Sequence, residues 1–171
     1  PYVVFNPQGY TLKHLNAYPD EEWIALGRLI YERLGCQVVI VGSKVYPEWD
    51  LVPAPSDSRF HNLSGRTNLL ALMAVLGKAA CVITVDSGVA HLAAAFEVPA
   101  LTFFGPDPPV VFGPVNPRGE ILFKDLHCSP CVNLLEGKKS DCQDNVCIRT
   151  WSPEEVCDRA IQLMGRIAKE R

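Results

Sequence analysis

Residues 82–92 read Val-Ile-Thr-Val-Asp-Ser-Gly-Val-Ala-His-Leu: an apolar run, an abrupt polar stop, then small residues of helical character. A strand that ends in a tight turn before a helix presents unpaired backbone N–H groups at its carboxyl end, and such groups hold anions. Asp86, Ser87, Gly88 and His91 stand beside those donors. Gly88 permits close backbone approach and Ser87 is a natural helix cap. His91 lies about one helical turn into the helix and faces roughly the same way. The chemistry this group suits is the holding of a phosphate or a sugar hydroxyl. The plainer alternative is a capped helix with a structural histidine.

Two further turns follow apolar runs. Asn6-Pro7-Gln8-Gly9 closes the first run, and Lys13 stands within reach of an anion held there. The segment is neither a Walker A loop nor a Rossmann fingerprint, because it lacks GxxxxGK[ST] and GxGxxG. Gly105-Pro106-Asp107-Pro108-Pro109 is a rigid turn whose Asp107 either bonds a ligand or starts a short helix. Four of the seven cysteines, Cys128, Cys131, Cys142 and Cys147, form a C-x2-C-x10-C-x4-C pattern within a Cys-rich loop over 127–148. Three readings compete for it: a structural zinc on four thiolates, free thiols, or disulfides. Cys36, Cys81 and Cys157 stand in apolar contexts and read as buried thiols. No Ser/His/Asp triad, paired-carboxylate set or metalloprotease motif can be assembled. His14, His61 and His127 read as surface or loop residues.

These turns need elements to position them. Apolar runs at Val3–Asn6, Val38–Val41, Val82–Val85, Pro99–Phe104 and Ile121–Phe123 read as strands, with Phe60–Leu63 a shorter one. Helical patterns lie between them. Asp20, Glu21 and Glu22 open a helix carrying Trp23, Leu26, Leu29, Ile30 and Leu34, and Gly35 stops it. Thr67 or Asn68 caps a helix whose Leu-rich stripe over 69–76 reads as core. Ser152-Pro153-Glu154-Glu155 opens the last helix with cap, N1 proline and N3 glutamate in place. Residues 43–58, rich in Pro, Ser and Asp, read as a loop or broken helix. Strands alternating with helices imply an α/β fold: a Rossmann-like parallel sheet covered by helices on both faces. Its ligand edge would gather four turns, at Gln8-Gly9, Gly42-Ser43, Asp86-Ser87-Gly88 and Gly105-Pro106.

The 171 residues suffice for one domain, over 1–171. Pro1 running straight into a strand suggests a boundary there, with a preceding domain absent. A net charge of −3 argues against a general nucleic-acid surface. No apolar run approaches the roughly 20 residues that span a bilayer.

Taken in order, these motifs resemble the bacterial heptosyltransferases, glycosyltransferase family 9, over nearly the whole chain. Asn6-Pro7-Gln8-Gly9 with Lys13 is similar to the family's first glycine-bearing loop and phosphate-binding lysine. Leu63-Ser64-Gly65-Arg66-Thr67-Asn68-Leu69 resembles its L-x-G-x-T-x-L segment. Asp86 to Ala95 is similar to its D-[ST]-G-x-x-H-x-A-A-A signature, and Phe104-Gly105-Pro106 to the turn after its fifth strand. The resemblance implies a GT-B fold of which this chain is the C-terminal, nucleotide-sugar donor-binding half. Gln8, Gly9, Lys13, Ser87, Gly88 and His91 would cradle the donor diphosphate, and Gly42 would join that edge. Thr67 and Leu69 would flank the base, and Asp86 would orient the turn or contact the sugar. The family often places an acidic residue shortly after the second-strand glycine; in Gly42 to Glu48 that residue is Glu48.

The implied enzyme moves heptose or a related sugar from an NDP-sugar, ADP-heptose foremost, to a lipopolysaccharide-type acceptor, with inversion and with no cofactor required. The catalytic base and glycolipid acceptor site would lie in the missing N-terminal domain, so no catalytic residue falls in this chain and the isolated domain would be inactive. Such an enzyme works in the cytoplasm, at the inner face of the bacterial inner membrane. The alternatives are an NDP-sugar 2-epimerase-like enzyme and a non-catalytic sugar-nucleotide-binding module.

Overall fold

The computed structural model describes residues 1–7, 15, 17–43, 59–133, 135, 137 and 139–170. Its frame is a six-stranded, wholly parallel sheet. The strands are β1 (Tyr2–Asn6), β2 (Gln37–Ile40), β3 (Phe60–Asn62), β4 (Cys81–Val85), β5 (Ala100–Phe104) and β6 (Gly119–Phe123), in the order β3-β2-β1-β4-β5-β6. The helices are α1 (Asp20–Leu34), α2 (Leu69–Leu76), α3 (Gly88–Ala95), α4 (Pro109–Phe112), α5 (Val146–Arg149) and α6 (Pro153–Lys169).

The continuous apolar runs follow from burial on both sides, since a parallel strand between helix layers has no wet face. Successive residues serve opposite layers. Val3, Phe5, Val38, Ile40, Ile83, Val85, Leu101 and Phe103 point into one core with Trp23, Leu26 and Ile30 of α1 and Val156, Ala160 and Leu163 of α6. Val4, Val39, Val41, Val82 and Ala100 point into the other, with Leu76 of α2 and Val89 and Ala93 of α3.

The helix ends are set as the sequence indicates. Gly35 closes α1 in the left-handed conformation at φ 63°, and its N–H bonds the Tyr31 carbonyl. Asn68, not Thr67, caps α2 by accepting the Ala71 N–H at 2.9 Å. Ser152 and Glu155 form a complete capping box on α6.

Two expectations are corrected. The stripe over 69–76 is not core: only Leu76 of α2 is buried, while Leu69 and Leu70 are 61% and 75% exposed. The eight-residue helix packs by Leu76, with Leu72 and Val75 partly buried against the same core, while its first turn stays in solvent. The Cys-rich loop also contains a helix that went unrecognised, α5, which buries Cys147 and Ile148.

Candidate functional site

In a sheet ordered 3-2-1-4-5-6, the chain leaves β1 toward one edge and β4 toward the other, so a crevice opens between their carboxyl ends. The Asp86-Ser87-Gly88 turn stands at that crevice. Two polar side chains inside otherwise apolar strands fix it. Asn6 of β1 and Thr84 of β4 are register partners and are buried. Asn6 Nδ2 donates to Thr84 Oγ1 at 3.0 Å and to Ser87 Oγ at 2.8 Å. Thr84 Oγ1 lies 3.1 Å from Ser87 Oγ and donates its own proton to the Val85 carbonyl at 2.9 Å. The Ser87 hydroxyl therefore donates to Thr84.

This bonding changes the role read for Ser87. It occupies the N-cap position of α3, yet its side chain makes no cap hydrogen bond. The hydroxyl is turned into the sheet and its proton is committed there. The first turn of α3 starts at Gly88, and the Gly88 and Val89 N–H groups there carry the positive end of the helix dipole. A Cβ built on Gly88 would meet no atom within 4 Å. Gly88 and His91 are both exposed. The Asp86 N–H bonds the Phe103 carbonyl at 3.1 Å, which ties the turn to β5 as well as β1.

The neighbouring turns meet the same edge. The Gly42 carbonyl accepts the Gly65 N–H at 2.8 Å, seating the loop after β3 against the end of β2. Asn62 Oδ1 accepts both the Ser64 N–H at 3.0 Å and the Ser64 hydroxyl at 2.6 Å, which stiffens that loop. Thr67, half-buried, and Leu69, exposed, follow at its end. Gly42, Thr67, Leu69, Asp86, Ser87, Gly88 and His91 thus lie along the carboxyl edge of β2, β3 and β4. Gln8, Gly9 and Lys13, with Glu48, lie outside the described residues. Asn6 and Thr84 carry a positioning role that the sequence reading did not assign. The signal for it was a polar residue interrupting a buried apolar strand in each case.

The turn after β5 is held by the Cys-rich loop. Ser129 Oγ donates to the Gly105 carbonyl at 2.7 Å, and the Cys131 and Val132 N–H groups bond the Pro106 carbonyl at 3.1 and 3.0 Å. Gly105 is required by contact: a Cβ there would lie 2.5 Å from Cys147 Sγ. Burial raises the Cys131 and Cys147 thiols above the ordinary range, and the surrounding cysteines push in the same direction. All seven cysteines are free thiols.

Comparison with known proteins decides the lineage. Residues 1–140 match the model of glycosyltransferase family 9 (heptosyltransferase). The chain belongs to glycosyltransferase family 9. Lipopolysaccharide heptosyltransferase 1 of Pseudomonas aeruginosa is 39% identical over 142 residues, covering 77% of this chain and 36% of that protein. The fold is that of solved heptosyltransferases. Escherichia coli ADP-heptose lps heptosyltransferase II matches 98% of this chain and 47% of its own, with TM-score 0.77 at 18% identity. Escherichia coli heptosyltransferase WaaC, solved with ADP, matches 95% and 44%, with TM-score 0.70 at 19% identity. The family 9 chain described here therefore spans about a third of the curated relative's length and under half of each solved one. Among its described residues no helix is long and apolar enough to cross a membrane.

Proposed function

We propose that this chain is the donor-binding half of an inverting glycosyltransferase, moving heptose or a related sugar from ADP-heptose to a lipopolysaccharide-type acceptor. One observation carries the reading. The signature turn Asp86-Ser87-Gly88 of a family 9 chain sits at the β1/β4 switch point and opens α3 there, with the Ser87 hydroxyl bonded back to Asn6. The likeness of fold to a heptosyltransferase solved with ADP supports it.

Transfer breaks the bond between the anomeric carbon and the diphosphate oxygen, and negative charge grows on the leaving nucleotide. Donors preset toward that charge lower the barrier without reorganising. In this reading the N–H groups of Gly88 and Val89 and the side chains of Lys13 and His91 supply them, and Gln8 and Gly9 complete the cradle. Thr67 and Leu69 flank the base, and Asp86 orients the turn or meets the sugar. A second domain supplies the catalytic base and the acceptor site.

Calorimetry tests the site. The protein is expected to bind ADP, and Lys13→Ala to weaken that binding at least tenfold, about 1.4 kcal/mol. A folded protein with no affinity for ADP, UDP or GDP would overturn the reading.

A further inference from the structure

We propose that Asn145 is a positioning residue for donor binding, holding the far end of the connection that carries Lys13. The inference rests on the donor reading above, because Lys13 meets a diphosphate only in that reading.

Asn145 is a cap-type residue that does not cap. It stands at the N-cap of α5, where an asparagine side chain ordinarily accepts a first-turn N–H. Its backbone carbonyl accepts the Ile148 and Arg149 N–H groups at 2.9 and 3.1 Å, but its side chain makes no cap hydrogen bond. The amide instead donates to the Ala17 carbonyl, Nδ2 to O 2.6 Å, across 128 positions of sequence. Asn145 is buried, so the bond is shielded from water.

Ala17 belongs to no helix or strand. It lies in the connection between β1 and α1, four positions after Lys13. Four residues of chain keep the two Cα atoms within about 14 Å, so an anchor at Ala17 limits where Lys13 can reach. A second bond fixes the same end. The Tyr18 hydroxyl donates to the Trp151 carbonyl at 2.8 Å, at the joint between α5 and α6. The Tyr18 ring stacks on Phe103 of β5, with centroids 4.8 Å apart. The connection is thus joined to this segment by one hydrogen bond received and one given.

α5 is itself wedged against the ligand edge. Its Cys147 and Ile148 are buried, and a Cβ on Gly105 would lie 2.5 Å from Cys147 Sγ and 3.0 Å from Ile148 Cγ1. The Phe103 carbonyl, two residues before Gly105, accepts the Asp86 N–H. β1 and β5 are the two neighbours of β4, the strand that ends in the signature turn. The segment from Asn145 to Trp151 therefore braces the turn after β5 and the connection after β1 against each other. Removing the Asn145 amide frees the second from the first.

Calorimetric titration of ADP into the full-length protein tests this, with urea melts on the same samples. Asn145→Ala and Tyr18→Phe should each weaken ADP binding at least about fivefold while keeping a cooperative melt. In the Lys13→Ala background the same substitutions should change affinity by less than about twofold, because the side chain they position is gone. Ser152→Ala, which removes the cap of α6, should lower stability and leave ADP affinity unchanged. If Asn145→Ala and Tyr18→Phe bind ADP as the parent does, the inference falls and the donor reading stands. An undiminished loss in the Lys13→Ala background, or a matching loss in Ser152→Ala, would also overturn it, since the effect would then be one of stability alone. A folded parent without affinity for ADP would sink both. Should Asn145→Ala lack a cooperative melt, Tyr18→Phe, which keeps the ring on Phe103, decides.

Discussion

Gly88 separates a ligand-binding role from a structural one better than any other residue at the edge. A glycine is ordinarily explained by positive φ or by a neighbour too close for a Cβ. Gly88 has neither: it lies in the first turn of α3, and a Cβ there meets nothing within 4 Å. Gly88→Leu is therefore expected to fold with stability within about 0.5 kcal/mol of the parent, as surface substitutions commonly do. On the donor-binding reading proposed above, its side chain would block the diphosphate, and ADP affinity should fall at least tenfold, about 1.4 kcal/mol. Denaturant melts and calorimetry on the same sample check both halves. A destabilised variant, or one that binds ADP as the parent does, would remove Gly88 from the site. Asn6 makes the opposite case. It is 2% exposed and donates to two hydroxyls, so Asn6→Ala removes a donor from each of them inside the sheet and leaves Ser87 Oγ without the one it accepts from. A loss of about 1–3 kcal/mol in unfolding free energy is expected, from unmet polar groups rather than from a lost ligand contact.

At the scale of elements, the two helices with side-chain caps should respond differently to losing them. α6 packs Val156, Ala160, Leu163 and Ile167 into the main core, and its capping box serves a helix already anchored. Ser152→Ala should lower global stability by about 1 kcal/mol, read in urea melts. α2 buries only Leu76, and its Asn68 cap holds a first turn that carries exposed Leu69 and Leu70. Asn68→Ala should therefore open that turn locally, with faster amide exchange at 70–73 and a smaller change in the global melt. Equal exchange in parent and variant would show that the turn is held by something other than its cap. The contrast also explains where sequence reading fell short. Caps, stops and strand runs are local, so Gly35, Asn68 and Ser152 were legible directly. Burial is not local: eight apolar residues over 69–76 looked like core, but only the end of the helix packs on it and the first turn stays exposed. α5 escaped for a related reason, because four residues are too short for periodicity and their burial comes from contact with the turn at Gly105. The site edge was legible from turns that follow strands. The inward bonding of Ser87 was not, because it depends on Asn6 lying in register with Thr84, 78 positions away.

At the scale of the whole molecule, the sandwich that gives the edge its rigidity also buries acids that stay neutral only while the fold excludes water. Cys81 begins β4 between the two helix layers, and burial pushes its thiol up to about 12. Tyr18 donates its hydroxyl to the Trp151 carbonyl at 2.8 Å and stacks on Phe103; burial first, then Glu22, Glu154 and Glu155, raises it too. In each the charged form is disfavoured in the native state. The unfolded chain therefore loses these protons at lower pH than the folded one. Their contribution to stability is complete below the unfolded thiol range near 9. It falls as pH rises toward 12, at up to about 1.4 kcal/mol per pH unit for each group in that window. Unfolding free energy should thus decline steeply between about pH 9 and 11, beyond what surface charge produces. Cys81→Ala removes one such group. It should start below the parent at pH 7, by about 1 kcal/mol for the lost packing. Its decline above pH 9 should be shallower, so the two curves converge. Guanidinium melts at a series of pH values decide it: curves that stay parallel to pH 11 would mean that Cys81 ionises no later in the folded protein than in the unfolded one, and that the centre of the sheet is open to water.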